Sequence, residues 1–319
     1  MFTKLFDKRT LPVLARALLF AIAAAGALLW LPVADTPAPA SQLWYLPQLS
    51  LEGQRILWAI SIPLLALLVN EIYYRYQVVP NNYQLTVVLT LVLGACFGAQ
   101  FAPVVLVSIG FGTWFFAAML RSYRQENARF SAFNLGMLSG LAFVFNAGLL
   151  VLLLLSAIYI LLIGNGRIKV FIALLLGFGA VSFLTFSILE LSGFHQMALR
   201  IPEGLVHFQM EYGVARISPV PLIGAGFLAF VALLGFLGSS AAMTVYERVM
   251  FSSFSLWVMV LWALALILNH SSTLLALALF FSSIMIVFLL CKVQNRWLRD
   301  GIYLVLLLAY AWPWYVALV

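Results

Sequence analysis

Residues 131–163 form an apolar run without a single charged side chain. One α-helix of that length would measure on the order of 50 Å, whereas a bilayer core is about 30 Å thick. The run therefore has to cross an apolar layer, turn, and cross it again. Asn146-Ala147-Gly148 is the segment richest in turn-forming residues, so the sequence predicts two membrane-spanning helices joined there.

The composition extends this conclusion to the whole chain. Of the 319 residues, 65% are apolar and only 8% are charged, whereas soluble domains carry about 25% charged residues. So few charges exclude a water-soluble fold, and the long unbroken apolar runs exclude the alternating pattern of a membrane β-barrel. The sequence predicts an all-α polytopic bundle, a single membrane domain over 1–319 with no soluble domain.

Eleven spans account for the apolar stretches when each is allowed roughly 20 residues. Two further long runs are divided at turns near Gln100 to Pro103 and at Asn269 to Ser272, where polar residues interrupt the apolar pattern. The predicted spans are residues 13–33, 56–74, 85–101, 103–120, 131–145, 147–163, 169–190, 218–238, 251–269, 273–291 and 301–318.

The basic residues test this count, because cytoplasmic loops are rich in Lys and Arg. With the amino terminus cytoplasmic and the carboxyl terminus periplasmic, only Arg55, Arg200 and Arg216 of the 17 basic residues fall on the outer side. Removing any one proposed turn would invert all later loops and destroy this asymmetry. The same scattered placement argues against a nucleic-acid partner, despite the net charge of +7.

The amino-terminal region raises one alternative. A basic start, an apolar run and Ala38-Pro39-Ala40 resemble a secretory signal with a cleavage site after Ala40. The apolar run from Leu11 to Leu31 exceeds the length of a typical signal core. We therefore expect an uncleaved first span.

Two longer polar segments are predicted on the outer side, at residues 34–55 and 191–217. The second contains Pro202 to Gly213, which has the end signals of a short helix. Its apolar and polar side chains repeat on different faces, so an amphipathic helix at the membrane interface is expected.

The ionisable side chains of these segments are the candidate site residues. Glu203, His207 and Glu211 share one helical face, where they would bind a substrate or metal, or act as an acid/base set, or simply form a solvated polar face. Asp35, after the first span, is either the candidate catalytic base or simply a loop residue before a proline turn. Arg200 and Arg216 are further candidates for ligand binding on the outer side.

Other motifs do not identify a cofactor or a reaction. The chain has no Walker loop, no GxGxxG before a helix, no HExxH and no nucleophile elbow. Its two cysteines, Cys96 and Cys291, have no zinc or redox spacing and are expected to be small buried residues. Gly94-x-x-x-Gly98 and Gly136-x-x-x-Gly140 are expected to let neighbouring helices approach and hold the short hairpins together.

Several apolar motifs resemble a family of Gram-negative bacterial inner-membrane proteins known only by a domain-of-unknown-function label. The resemblance covers roughly residues 1–240 and rests on four segments: Leu51-Glu-Gly53, Val69-Asn70, Phe133-Asn-Leu-Gly-Met-Leu-Ser-Gly-Leu-Ala142 and Gly164-Asn-Gly-Arg167. It implies a multi-pass inner-membrane location and brings no catalytic residues.

The arrangement of spans and the acid after the first span are also similar to the GT-C class of glycosyltransferases, which use polyprenyl-phosphate sugars. This resemblance implies that Asp35 activates an acceptor and that Arg200 or Arg216 holds the phosphate of a lipid-linked sugar.

Three functions are therefore expected, in this order. The first is a subunit or scaffold of cell-envelope assembly, with membrane lipids and other inner-membrane subunits as partners. The second is a GT-C-like glycosyltransferase that takes a lipid-linked sugar at the periplasmic face. The third is a transporter or lipid flippase.

Overall fold

The computed structural model describes residues 11–28, 51–75, 84–97, 103–123, 127–162, 168–193, 219–239, 243–267, 272–293 and 295–318. Over these ranges the secondary structure is helical, without a β-strand. Eleven α-helices correspond one to one with the eleven predicted spans, so the all-α class and the helix count are confirmed for this part of the chain.

The helices are numbered in chain order, and a single 3₁₀ turn, Ala147–Leu150, precedes α6. They are α1 (Leu11–Leu28), α2 (Leu51–Arg75), α3 (Gln84–Phe97), α4 (Pro103–Tyr123), α5 (Ala128–Phe145), α6 (Val151–Leu162), α7 (Ile168–Leu191), α8 (Pro219–Ser239), α9 (Val245–Ile267), α10 (Ser272–Lys292) and α11 (Arg296–Leu318).

Six of these helices are long and apolar enough to cross a membrane: α4, α5, α7, α8, α9 and α10. Shorter apolar segments lie in α2, in α3 and across the 3₁₀ turn and α6. The chain is thus a multi-pass helical membrane protein.

The helix ends correct several predicted boundaries. α2 begins at Leu51, so residues 51–55 are helical rather than part of the outer loop predicted at 34–55. α7 ends at Leu191, and Ser192 and Gly193 follow it, while residues 194–217 of the second outer segment lie outside the described ranges. α11 begins at Arg296, five residues before the predicted span, because Asn295 caps it by accepting a hydrogen bond from the Trp297 N–H at 3.0 Å.

The predicted turn at Asn146 is confirmed, and one side chain explains it. α5 ends at Phe145, and Asn146 takes an extended backbone conformation. Its Oδ1 accepts a hydrogen bond from the Gly148 N–H at 2.7 Å, which starts the 3₁₀ turn leading into α6. The amide thus closes one helix and opens the next, as asparagine commonly does at helix ends.

Two helices form the interior of the bundle. Every residue of α3 is buried, and 94% of the apolar window of α10 is buried. α10 packs against α3, α4, α8 and α9, while α1, α2 and α11 surround α3. A helix that is apolar on all sides is typical of such a central position.

The last group, α5 to α7, lies at the side of the bundle. α7 packs chiefly against α5, and only 11% of its apolar window is buried. Phe183 and Leu191 are among its exposed side chains, at 73% and 88% exposure. In a bilayer this surface faces lipid, where exposed apolar side chains carry no penalty.

Glycines create the seam between α5 and α7. A Cβ on Gly136 would collide with the Leu174 carbonyl oxygen, and a Cβ on Gly140 would lie 2.6 Å from the Phe178 carbonyl oxygen. From the opposite side, a Cβ on Gly177 would collide with the Phe133 carbonyl oxygen. Small residues therefore let the two backbones touch, as expected for this spacing.

The partner of this glycine pair differs from the prediction. Gly136 and Gly140 were expected to hold a hairpin of neighbouring spans together, yet they face α7 rather than α6. The reason is that α6 meets α5 through side chains such as Ser156, whose hydroxyl lies 3.5 Å from that of Ser139. Gly94 lies in α3, while Gly98 is outside the described ranges.

Candidate functional site

The six site residues predicted from the sequence all lie outside the described ranges. They are Asp35, Arg200, Glu203, His207, Glu211 and Arg216. The amphipathic helix expected at Pro202 to Gly213 and the cleavage site after Ala40 lie outside them as well. Their roles remain predictions, and the candidate site below is built from the residues that the structure describes.

At one end of the bundle, an amide links the α5–α6 junction to the central helix. The Asn146 side chain donates a hydrogen bond from Nδ2 to the Thr273 hydroxyl at 3.0 Å. Thr273 is buried at the start of α10. The bond joins two turns that the sequence assigns to the same outer side.

At the other end, a buried tyrosine links α6 to α4. The Tyr159 hydroxyl donates to the Met119 carbonyl oxygen at 3.0 Å and lies 3.1 Å from the Ser122 hydroxyl. Gln84 and Cys291 make a second contact at this end, where the thiol donates to the amide oxygen at 3.7 Å. Each of these pairs joins helix ends that the sequence assigns to the inner side.

Cys96 is buried, as expected, whereas Cys291 is partly exposed and hydrogen-bonded rather than fully buried. Cys96 borders a small apolar cavity of about 10 Å³ between α3, α8 and α11. A volume of that size is at the lower limit for one water molecule. Apolar side chains line the cavity, so it is a gap in packing rather than a binding pocket.

Aromatic rings fill the middle of the bundle. Trp257 of α9 is fully buried and lies 5.5 Å from Phe115, 5.6 Å from Phe254 and 5.3 Å from Phe281, measured between ring centroids. Tyr159 extends the group at 6.3 Å from the Trp257 ring. These contacts bind α4, α6, α9 and α10 into one core, since aromatic pairs at such distances attract beyond their buried area.

Within the described ranges, no group of three or more His, Cys, Asp and Glu side chains is close enough to hold a metal ion. The exposed basic groups concentrate instead at helix ends that the sequence assigns to the inner side. Exposed basic side chains there are Arg75, Arg121, Arg129, Lys169, Arg248, Lys292 and Arg296.

Of these helix ends, the end of α8, the start of α9 and the end of α10 have the most defined geometry. Phe236, Phe251 and Phe288 pack together, with 3.8 Å between the ring centroids of Phe251 and Phe288. The Lys292 ammonium lies 5.6 Å from the centroid of Phe288. A cation over an aromatic ring at this distance is weakly attracted to it.

A capping box begins α9 beside this trio. The Glu247 carboxylate accepts hydrogen bonds from the Thr244 N–H at 2.9 Å and from its hydroxyl at 3.1 Å, while the Glu247 N–H donates to that hydroxyl at 3.3 Å. Among the described residues, the neighbouring Arg248 side chain makes one hydrogen bond, from Nη2 to the Met243 carbonyl oxygen at 3.5 Å. The Glu247 carboxylate is thus engaged by the N–H and the hydroxyl of Thr244, while the Arg248 guanidinium keeps most of its five N–H donors for another partner.

Sequence reasoning noted the basic inner face but did not single out Arg248 with Lys292. The two residues are 44 positions apart in the sequence, and no motif relates them. The packing of α9 on α10, with Phe251 against Phe288, brings their helix turns together. The capping box was visible in the sequence as Thr-x-x-Glu, a known signal of a helix start.

Comparisons with protein-family models, with curated proteins and with solved structures found no match for this chain.

Proposed function

We propose that this chain is a multi-pass protein of the bacterial inner membrane and a subunit or scaffold of cell-envelope assembly. The observation that carries the proposal is the filled centre of the bundle. α10 occupies this centre, and its neighbours α4 and α9 contribute Phe115, Phe254 and Trp257 to the same aromatic core. A rigid, close-packed body with apolar outer helices is suited to holding other membrane segments in place.

The same observation favours a scaffold over a transporter. Transporters commonly bind their substrates near the bilayer midplane, between broken helices. Here the helix at the centre is continuous from Ser272 to Lys292, and α2 continues through Pro63.

We further propose that the amino terminus is cytoplasmic and the carboxyl terminus periplasmic. The exposed cations at the helix ends support this orientation, because Lys and Arg are retained on the cytoplasmic side. A cysteine-free variant, with Cys96→Ser and Cys291→Ser, provides the background for a test. In intact cells, a membrane-impermeant maleimide is expected to label Ser192→Cys but to label Arg296→Cys only after permeabilisation. The reverse pattern would overturn the orientation.

The envelope role is tested by deleting the gene in its native host and measuring resistance to detergents and large antibiotics. A scaffold is expected to be needed for this barrier, and both wild type and Asp35→Asn are expected to restore it. Trp257→Ala, which opens the core, is the control expected to fail, because removing a buried Trp costs about 3–5 kcal/mol.

The glycosyltransferase alternative predicts the opposite result for one variant. An enzyme that uses Asp35 as its base would be inactive as Asp35→Asn even when the protein reaches the membrane in normal amounts. Failure of this variant to restore the barrier would therefore refute the scaffold proposal and favour the enzyme. A deletion without any envelope defect would also refute it.

A further inference from the structure

The structure describes two exposed cations at the inner ends of α9 and α10 whose surroundings suit a particular partner. Arg248 lies three residues before Phe251, and Lys292 lies four residues after Phe288. Residues three or four apart share a helix face, and the Phe251 and Phe288 rings pack against each other. Both cations therefore lie about one helical turn beyond this ring contact, toward the same end of the bundle.

Neither cation is neutralised by an acid in the described part of the chain. The Arg248 guanidinium contacts the Met243 carbonyl oxygen, and the Lys292 ammonium contacts the Phe288 ring. The acid next to Arg248 in sequence, Glu247, is engaged with Thr244. Both cations therefore keep hydrogen-bond donors for an anion.

The position of the two cations also indicates which anion. They lie at the ends of helices α9 and α10, both long and apolar enough to cross a membrane. Exposed apolar side chains accompany them, with Leu237 at the end of α8 and Val245 at the start of α9. Cations beside exposed apolar side chains suit a ligand that carries both a negative charge and an apolar chain. An acidic phospholipid at the membrane surface is such a ligand.

We propose that Arg248 and Lys292 form a binding site for the phosphate of an anionic phospholipid. Arg would bind two phosphate oxygens through its planar fork, while Lys would act as a point charge. The aromatic trio of Phe236, Phe251 and Phe288 holds the ends of α8, α9 and α10 so that the two cations are presented together. The inference rests on the proposed membrane placement and is independent of the role in envelope assembly.

The test measures binding of phosphatidylglycerol to the full chain in mild detergent by native mass spectrometry, with phosphatidylcholine as the neutral reference lipid. Each single variant, Arg248→Gln or Lys292→Gln, is expected to lower phosphatidylglycerol affinity about fivefold, and the double variant about twentyfold or more. Phosphatidylcholine binding is expected to stay unchanged.

Lys169→Gln is the matched control, because it removes an exposed cation from the start of α7, at the side of the bundle. It is expected to retain the affinity of the wild type. An equally large drop in this control would mean that total charge alone attracts the lipid, and an unchanged double variant would mean that the site does not exist; either result overturns the proposal. Because Arg248 and Lys292 are exposed, the thermal unfolding midpoint should stay unchanged and so exclude misfolding.

Inorganic phosphate and glycerol phosphate distinguish a lipid site from a free-anion site. Neither is expected to compete with phosphatidylglycerol, because neither brings an apolar chain. Full competition at similar concentration would overturn the assignment to a lipid. Removal of the lipid site would leave the barrier assay of the scaffold proposal unaffected, so failures of the two proposals are distinguishable.

Discussion

Gly177→Ala is expected to destabilise the bundle, although alanine is normally the better helix former. An alanine Cβ at this position would collide with the Phe133 carbonyl oxygen and lie 3.0 Å from the Met137 nitrogen. Both atoms belong to the backbone of α5, so they cannot turn aside as a side chain would. The two helices must separate instead.

The magnitude follows from the weaker dispersion attraction between α5 and α7 once they separate. If roughly 30 atom pairs, each worth about 0.1–0.2 kcal/mol, move apart by about 0.5–1 Å, each loses a quarter to a half of its attraction, or about 1–3 kcal/mol in total. Measured costs of overpacking lie in the same range, about 1–3 kcal/mol. We therefore expect Gly177→Ala to lower the free energy of unfolding by about 2 kcal/mol.

Gly179→Ala is the matched control, because this residue lies two positions further along the same helix. A Cβ there would meet no atom within 4 Å, so only the helix propensity changes, in favour of alanine by up to about 1 kcal/mol. The two substitutions are thus expected to change stability in opposite directions.

The assay is unfolding of the purified protein by sodium dodecyl sulfate in mixed micelles, followed by tryptophan fluorescence. If Gly177→Ala were as stable as Gly179→Ala, the close approach of α5 and α7 would be refuted. A second check uses Gly136→Ala, which faces the Leu174 carbonyl oxygen across the same seam. The double variant Gly136→Ala/Gly177→Ala should lose less stability than the sum of the losses of the two single variants, because one separation of the helices relieves both collisions.

Three further predictions concern single contacts. Tyr159→Phe removes the hydroxyl that donates to the Met119 carbonyl oxygen at 3.0 Å and is expected to lower the free energy of unfolding by about 1 kcal/mol in the same assay. Tyr315→Phe, at an exposed position, should cause no measurable change, and equal effects of the two variants would contradict the α4–α6 link. Asn146→Ala removes the hydrogen bonds to the Gly148 N–H and the Thr273 hydroxyl and should lower the free energy of unfolding by about 1–2 kcal/mol. The control Asn127→Ala removes one exposed helix cap and should lower it less. The reverse order would contradict the role of Asn146 at the α5–α6 junction. In the folded protein a thiol reagent should modify Cys291 before Cys96, because Cys96 is only 5% exposed. The two reactions are followed by mass spectrometry of the two single-cysteine variants. Faster reaction at Cys96 would place that part of α3 at the surface.

Part of the candidate site could be predicted from the sequence. Thr244 and Glu247 form a capping box that their spacing alone predicts, and the excess of Arg and Lys at one set of helix ends follows from their positions along the chain. The pairing of Arg248 with Lys292 was not within reach, because it depends on which faces of α9 and α10 meet. The outer site of Asp35, Arg200 and Arg216 stays a prediction.

The sequence by itself determined the class of the protein, because scarce charge and long apolar runs leave no alternative to a helical membrane bundle. It also determined the number of helices and the turn at Asn146, because helix length and bilayer thickness limit each span. These are local or compositional constraints, and no tertiary contact is needed to apply them.

Only the tertiary structure decided which helix lies at the centre and which at the edge. α7 and α10 have similar mean hydropathies of 2.3 and 2.8, yet 11% of the first and 94% of the second is buried. In water such apolar helices would both be driven into a core, but lipid is as apolar as a protein interior, so hydrophobicity no longer distinguishes the two positions. Close packing distinguishes them instead, through glycines that admit a backbone and aromatic rings that fill the space around α10.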